Sequence, residues 1–161
     1  MEGSLKFAAD RMLGRLAKWL RLVGVDTLYG SQWSGPALVR VARTERRIVL
    51  TRDHRLRRVA ESAPVLFIDS DHFREQLQQV LAAYAIDPFA QLLTRCARCN
   101  APLQPLARTA AASRVPEYVF ATQRDFVACP RCHRTYWPAT HAERVRAELL
   151  RIGYAPARAP S

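Results

Sequence analysis

The chain has 161 residues, 49% of them hydrophobic, and a formal charge of +11 with pI about 10.5. That is material for one core-forming domain or one domain plus a small appendage, and no run approaches the roughly 18 apolar residues of a membrane span. The charge favours a polyanionic partner: only Lys6 and Lys18 are lysine, and the planar fork of the many arginines suits phosphate, although a plain Ala/Arg compositional bias would look the same.

Leu5 to Ala9 reads as a short buried strand ending at Asp10. Met12 to Val23 follows as a helix, with Met12, Leu13, Leu16, Trp19, Leu20 and Val23 at helical spacing and Gly24 as its stop. Thr27 to Tyr29 is a brief second strand. Ser34-Gly35-Pro36 opens a second helix, Ser34 as cap and proline in the first turn, carrying Leu38, Val39, Val41 and Ala42. Ile48 to Leu50 is a β-branched, apolar third strand, ended by Thr51-Arg52-Asp53. A short polar turn or helix with Leu56 and Val59 leads to a fourth strand, Val65 to Ile68, ending at Asp69. Asp71 to Tyr84 is a helix with an acidic start, and Asp87-Pro88 begins a linker.

This β-α alternation with short connections predicts an α/β fold, a parallel sheet flanked by helices. From Thr94 onward cysteines, prolines and short β-prone pieces replace the helices. Thr140 is expected to cap a last helix, His141 to Ile152, before an Ala/Pro-rich tail. The expected organisation is a sheet domain over 1–90, a small ribbon with its terminal helix over 91–152 and a tail over 153–161. Met1-Glu2-Gly3-Ser4 does not read as a signal peptide, so a soluble cytoplasmic protein is expected.

Four cysteines fall in two pairs, Cys96-Ala97-Arg98-Cys99 and Cys129-Pro130-Arg131-Cys132, 29 residues apart. Two such knuckles supply the four thiolates that tetrahedral zinc takes, and four thiolates leave no open position, so the metal is expected to be structural. Arg98 and Arg131 bring positive charge to the doubly negative centre. The competing reading is two unrelated thiol pairs or a redox pair. His133 and His141 lie nearby as surface or packing residues, or as substitute ligands.

Asp10, Asp53 and Asp69 each follow a predicted strand, and strand ends of a parallel sheet share one edge where sites collect. Carboxylates gathered there suit Mg²⁺ or Mn²⁺ and phosphodiester hydrolysis. Aspartate also simply caps helices and makes turns after strands, so both readings stand. Asp71 is a spare ligand or a helix cap, and Thr51 either orients Asp53 or ends its strand. Arg11, Arg15 and Lys18 form one stripe on the first helix, flanked by Arg21, where a phosphate backbone entering the carboxylate edge would meet them; an ordinary solvated face is the alternative. Arg52, Arg55, Arg57 and Arg58 cluster beside Asp53. Trp19 and Trp33 could stack on bases, with Trp19 fitting the core better.

The segment Phe7-Ala8-Ala9-Asp10-Arg11-Met12-Leu13-Gly14-Arg15-Leu16-Ala17-Lys18-Trp19-Leu20-Arg21 resembles the opening of the Mut7-C family, and Ile48-Val49-Leu50-Thr51-Arg52-Asp53 resembles its central motif. Arg95 to Asn100, Val115-Pro116 and Cys129 to His141 resemble its zinc-ribbon end, so the likeness runs from about Leu5 to Leu149. The resemblance implies a PIN-like ribonuclease domain joined to a zinc ribbon, with Mg²⁺- or Mn²⁺-dependent RNA cleavage and the PIN acids mapped onto Asp10 and Asp53. One departure stands out. Relatives commonly carry acids at the start of the second helix, where this chain has Ser34-Gly35-Pro36-Ala37, and Glu45 at the far end is a poor replacement. Some relatives also carry a ubiquitin-like domain ahead of this one; here the first strand begins at once, so none is expected. The expected activity is an endoribonuclease using Asp10 and Asp53, with Asp69 directly or through water, and Arg11, Arg15, Lys18 and Arg52 on the RNA backbone. The rivals are an RNA-binding module without turnover and a DNA-binding or protein-docking ribbon.

Overall fold

The computed structural model describes residues 4–58 and 62–155. It divides into two compact units, 1–21 with 25–87, and 22–24 with 88–161. Val59 and the end of the expected tail, 156–161, lie outside the described residues. Among the described residues no helix is long and apolar enough to cross a membrane.

In the first unit, strand β1 (Lys6–Ala9) leads through a 3₁₀ turn (Arg11–Leu13) into helix α1 (Gly14–Leu22). Strand β2 (Asp26–Leu28), helix α2 (Gly35–Glu45), strand β3 (Ile48–Thr51), a second 3₁₀ turn (His54–Arg58), strand β4 (Val65–Phe67) and helix α3 (Phe73–Ala83) follow. The four strands form one parallel sheet in the order β2-β1-β3-β4, as the alternation predicts. Both faces are covered, which is why the strands read as near-continuous apolar runs. Ala8 and Val49 pack with Leu38, Val39 and Ala42 of α2, and Trp33 and Leu28 close the edge of that cluster. By alternation Phe7, Ala9 and Leu50 point the other way; there Phe7 meets Tyr84, just past α3, edge to face at 5.2 Å.

Three sequence expectations shift here. The first helix begins as a 3₁₀ turn, so Met12 does not join the apolar face and is half exposed. Gly14 explains the tight entry. A Cβ there would sit 2.6 Å from the Tyr29 hydroxyl, which donates to the Arg11 carbonyl. Ser34 does occupy the N-cap of α2, yet its side chain makes no capping bond. Arg21, expected to flank the basic stripe, is buried, with Nε donating to the Thr27 carbonyl at 2.9 Å.

A buried arginine holds one end of the sheet. Arg47 donates to Asp26 Oδ1 at 2.6 Å, to Glu45 Oε2 at 2.6 Å and to the Phe7 carbonyl at 3.2 Å. Burial pushes its pKa down, but the two carboxylates outweigh that and raise it. Arg47→Ala would leave the Asp26 carboxylate, 14% exposed, without this partner, and is expected to cost about 3 kcal/mol in urea unfolding. A change under about 1 kcal/mol would mean the pair is solvated and dispensable.

The second unit contains β5 (Gln104–Leu106), α4 (Arg108–Ala111), α5 (Glu117–Thr122), β6 (Phe126–Ala128), β7 (Thr135–Tyr136) and α6 (Pro138–Arg151). Its sheet is antiparallel in the order β5-β6-β7. The two short helices between the cysteine pairs replace part of the β-prone stretch expected there. Ala110-Ala111-Ala112 supplies helix formers, and Pro116 at the N-cap starts α5. Helix α6 begins at Pro138 with Trp137 as N-cap, three residues before the expected His141 start, because proline's fixed φ suits the first turn. Thr140 is therefore inside the helix.

Candidate metal centre and acidic cleft

The two cysteine knuckles are built alike. Cys96 N–H donates to the Ala101 carbonyl and Cys129 N–H to the Arg134 carbonyl, both at 2.9 Å. Asn100 N–H returns to the Cys96 carbonyl and His133 N–H to the Cys129 carbonyl, again at 2.9 Å. The closing residues Asn100 and His133 take left-handed backbone, φ 64° and 60°. Each knuckle also aims an N–H at its first sulfur, from Cys99 to Cys96 Sγ at 3.4 Å and from Cys132 to Cys129 Sγ at 3.5 Å.

The result is four sulfurs within 4.8 Å of one another, drawn from Cys96, Cys99, Cys129 and Cys132. Cys96 and Cys132 sulfurs lie 3.7 Å apart. A tetrahedron with Zn–S bonds of about 2.3 Å has an edge of about 3.8 Å, so the set fits a metal such as zinc. It does not resemble disulfides, whose sulfurs sit about 2.0 Å apart. Burial pushes the Cys96 thiol up, but hydrogen bonds from the Tyr136 hydroxyl, the Cys99 and Arg98 amides and Cys132 bring it down to about 7. Burial, Cys132 and the neighbouring sulfur charges push Cys99 up to about 12. Four thiols so close cannot all ionise unaided, and a cation removes that conflict. The two histidines stay outside the set. His133 is exposed, while His141 packs on Trp137 at 4.6 Å and accepts its N–H at Nδ1.

The acidic residues occupy the first unit. After β2 the chain crosses β1 to reach β3, so strand order reverses between β1 and β3. A crevice opens at the carboxyl ends of strands at such a reversal. Asp10 ends β1 and Asp53 follows β3, and both line one cleft of about 170 Å³ with Arg11, Met12, Ser34, Gly35 and Arg55. Asp10 is 2% exposed. Its Oδ1 accepts the Arg11 N–H and its Oδ2 accepts the Thr51 hydroxyl, both at 2.7 Å. Thr51, fully buried, in turn accepts the Asp53 N–H at 3.0 Å. One hydroxyl therefore ties both aspartates together, and Thr51 does more than end a strand.

Asp53 also caps its own turn, accepting the Arg55 N–H at 3.0 Å, so the turn-making role open for these residues is realised as well. The Arg55 guanidinium forks onto both its oxygens and holds its carboxyl below the usual range. Asp69 sits after β4, exposed, with its N–H on Gln79, and is not among the residues lining the cleft. Among the described residues the four cysteines are the group of three or more potential ligands that converges; Asp10, Asp53 and Asp69 do not. Glu45 is engaged by Arg47 at the far end of α2. The position expected to carry an acid is filled by Ser34 and Gly35, which line the cleft without a carboxylate.

Of the basic residues, Arg11 lines the cleft, and Arg15 and Lys18 are exposed on α1. Arg15 lies 3.7 Å over the Phe73 ring. Trp19 is half-buried and stacks on Phe73 at 5.8 Å, and half-buried Trp33 belongs to the core, so neither is an open base platform. Arg52 is exposed but does not line the cleft. Arg55 is the cleft residue that sequence reading placed only in a general arginine cluster; its i+2 spacing from Asp53 was the available signal.

A family model described as the Mut7-C RNAse domain matches residues 5–149. The chain belongs to the Mut7-C RNAse domain family. No curated protein and no solved structure matches it. In this Mut7-C chain the matched span contains both the acidic cleft and the cysteine cluster, and membership suggests a ribonuclease-type function with RNA as substrate or partner.

Proposed function

We propose that the chain is a metal-dependent endoribonuclease of PIN-like type centred on Asp10 and Asp53. The pairing of these carboxylates in one cleft at the reversal of strand order carries the reading, supported by family membership and the basic charge. The donor set is all oxygen and suits a hard cation, so Asp10 and Asp53 would hold Mg²⁺ or Mn²⁺. When bound, such an ion supplies Lewis acidity at the phosphate and lowers the pKa of a ligated water. Thr51 fixes the Asp10 carboxylate in place. Asp69 contributes through water from the neighbouring strand end. Arg11, Arg15, Lys18 and Arg52 hold the RNA backbone as phosphate contacts that position without reading sequence. Water attacks phosphorus and the P–O3′ bond breaks, leaving a protonated 3′-hydroxyl and a 5′-phosphate. Zinc on Cys96, Cys99, Cys129 and Cys132 is structural and takes no part in this step.

A second reading is an RNA-binding module without turnover. Ser34 and Gly35 in place of an acid, with Arg55 on Asp53, favour it. Labelled RNA in single turnover separates the two. Cleavage is expected with Mn²⁺ and should stop with EDTA, while salt-sensitive binding persists. Binding with no cleavage under any divalent cation would select the module. Cleavage indifferent to EDTA would refute the metal-dependent reading.

A further inference from the structure

The turn after β3 carries a second feature beside the acids. Among the described residues, His54, Arg55, Arg57 and Arg58 line a hollow of about 550 Å³, and none of these is acidic. His54 is stacked on Phe67 at 5.3 Å, and the Arg57 guanidinium lies 5.3 Å over the same ring. These contacts fix the turn's floor and leave its charge outward. A concavity lined by arginines suits a phosphodiester.

Arg55 belongs to both places, since it also lines the acidic cleft. Its Nε lies 2.9 Å from Asp53 Oδ1 and 3.2 Å from Oδ2, and its Nη2 lies 2.9 Å from Oδ2. Both carboxylate oxygens are thus covered by one fork. The Arg55 side chain is 91% exposed, against 21% for Asp53. It can swing away without disturbing the core, and so exposed a pair adds little to folding. The same fork fits phosphate as well as carboxylate.

We infer that Arg55 is a substrate-responsive gate: it covers Asp53 while the hollow is empty, and an RNA phosphodiester seated there draws it off, freeing Asp53 for a divalent cation. The inference rests on the cleft being the ribonuclease centre. It makes RNA and cation binding mutually reinforcing, because each is favoured by the state in which Arg55 has left Asp53. The gate also weakens the free protein's hold on a cation until RNA arrives. A plain staple for the turn would show no such coupling.

The test is a Mn²⁺ titration of the full chain, followed by the electron paramagnetic resonance signal of free Mn²⁺. It is run alone and with a phosphorothioate oligoribonucleotide checked afterwards for integrity. RNA should tighten Mn²⁺ binding to the unaltered chain by about 5-fold, the scale of releasing one exposed ion pair. Arg55→Ala should bind Mn²⁺ about 5-fold more tightly without RNA, and RNA should then add less than about 2-fold. Arg57→Ala removes the same charge from the hollow while leaving the Asp53 fork in place, and should keep the RNA-free affinity of the unaltered chain. Equal gains in both variants would reduce the effect to net charge and overturn the gate. So would Mn²⁺ binding that is firm yet unmoved by RNA or by Arg55→Ala. If the unaltered chain takes no Mn²⁺ even with RNA, the metal-dependent reading falls and the gate falls with it.

Discussion

Asp10→Asn is expected to lower single-turnover RNA cleavage by about 100-fold or more, on the scale of losing a central catalytic group. The substitution keeps the shape of the side chain. Its amide oxygen can still accept the Arg11 N–H, and its NH₂ can donate to the Thr51 hydroxyl, which both accepts and donates. The negative charge alone is lost, so folding should be nearly unchanged while cation affinity collapses. Asp53→Asn should behave in the same way, because its remaining oxygen can keep the cap on Arg55. Thr51→Val is the graded case. It strips a buried hydroxyl from between the two aspartates and should cost about 10-fold in rate, with some loss of stability. The measurements are rate, Mn²⁺ affinity and thermal midpoint on the same preparations. Full cleavage retained by both asparagine variants would move the active centre elsewhere.

Removing zinc should have the larger effect on structure. Purified protein is expected to carry one zinc per chain. Stripping it with a strong chelator should abolish hydrogen-exchange protection at Cys96, Asn100, Cys129 and His133, whose amides close the two knuckles. Binding free energies of about 10–16 kcal/mol for structural zinc leave little in a small ribbon to replace it. Amides of β1 and β3, such as Asp10 on the Leu50 carbonyl, should keep their protection, since that unit has its own apolar core. Cys96→Ser should mimic the chelator in part. Metal analysis that finds no zinc, with ribbon protection insensitive to chelation, would defeat the prediction.

The parallel sheet was legible because short apolar runs, Phe7-Ala8-Ala9, Ile48-Val49-Leu50 and Val65-Leu66-Phe67, alternate with helices that each keep a clear apolar face. The cysteine cluster was legible from spacing, since two knuckles of the same length aim two sulfurs each. Other features depend on contacts that periodicity does not encode. Met12 fits the helical pattern, yet a 3₁₀ entry forced by the Gly14–Tyr29 approach rotates it outward. Arg21 flanks the basic stripe in sequence, yet the carbonyl of Thr27 takes it inside. The early start of α6 at Pro138 follows from a first-turn proline that a search for Ser or Thr caps passes over. At the acidic edge, residue type located Asp10 and Asp53, but strand order decides which acids share a cleft. Asp69, one strand further out, differs from the other two for that reason.

The matching bonds of the two knuckles have a consequence for how this sequence can change. Each knuckle is closed within a handful of neighbouring residues, so the stretch between Ala101 and Ala128 carries none of the ligands, and its paired ends β5 and β6 are the part that the metal site leans on. Doubling a flexible loop adds only about 0.6 kcal/mol to the cost of closing it. Against the affinity of four thiolates for zinc that is a small penalty. The exposed turn 112–114 between α4 and α5, outside the core of Ala111, Val119 and Phe126, is therefore a place on the chain where new surface can be added while the ribbon keeps its fold.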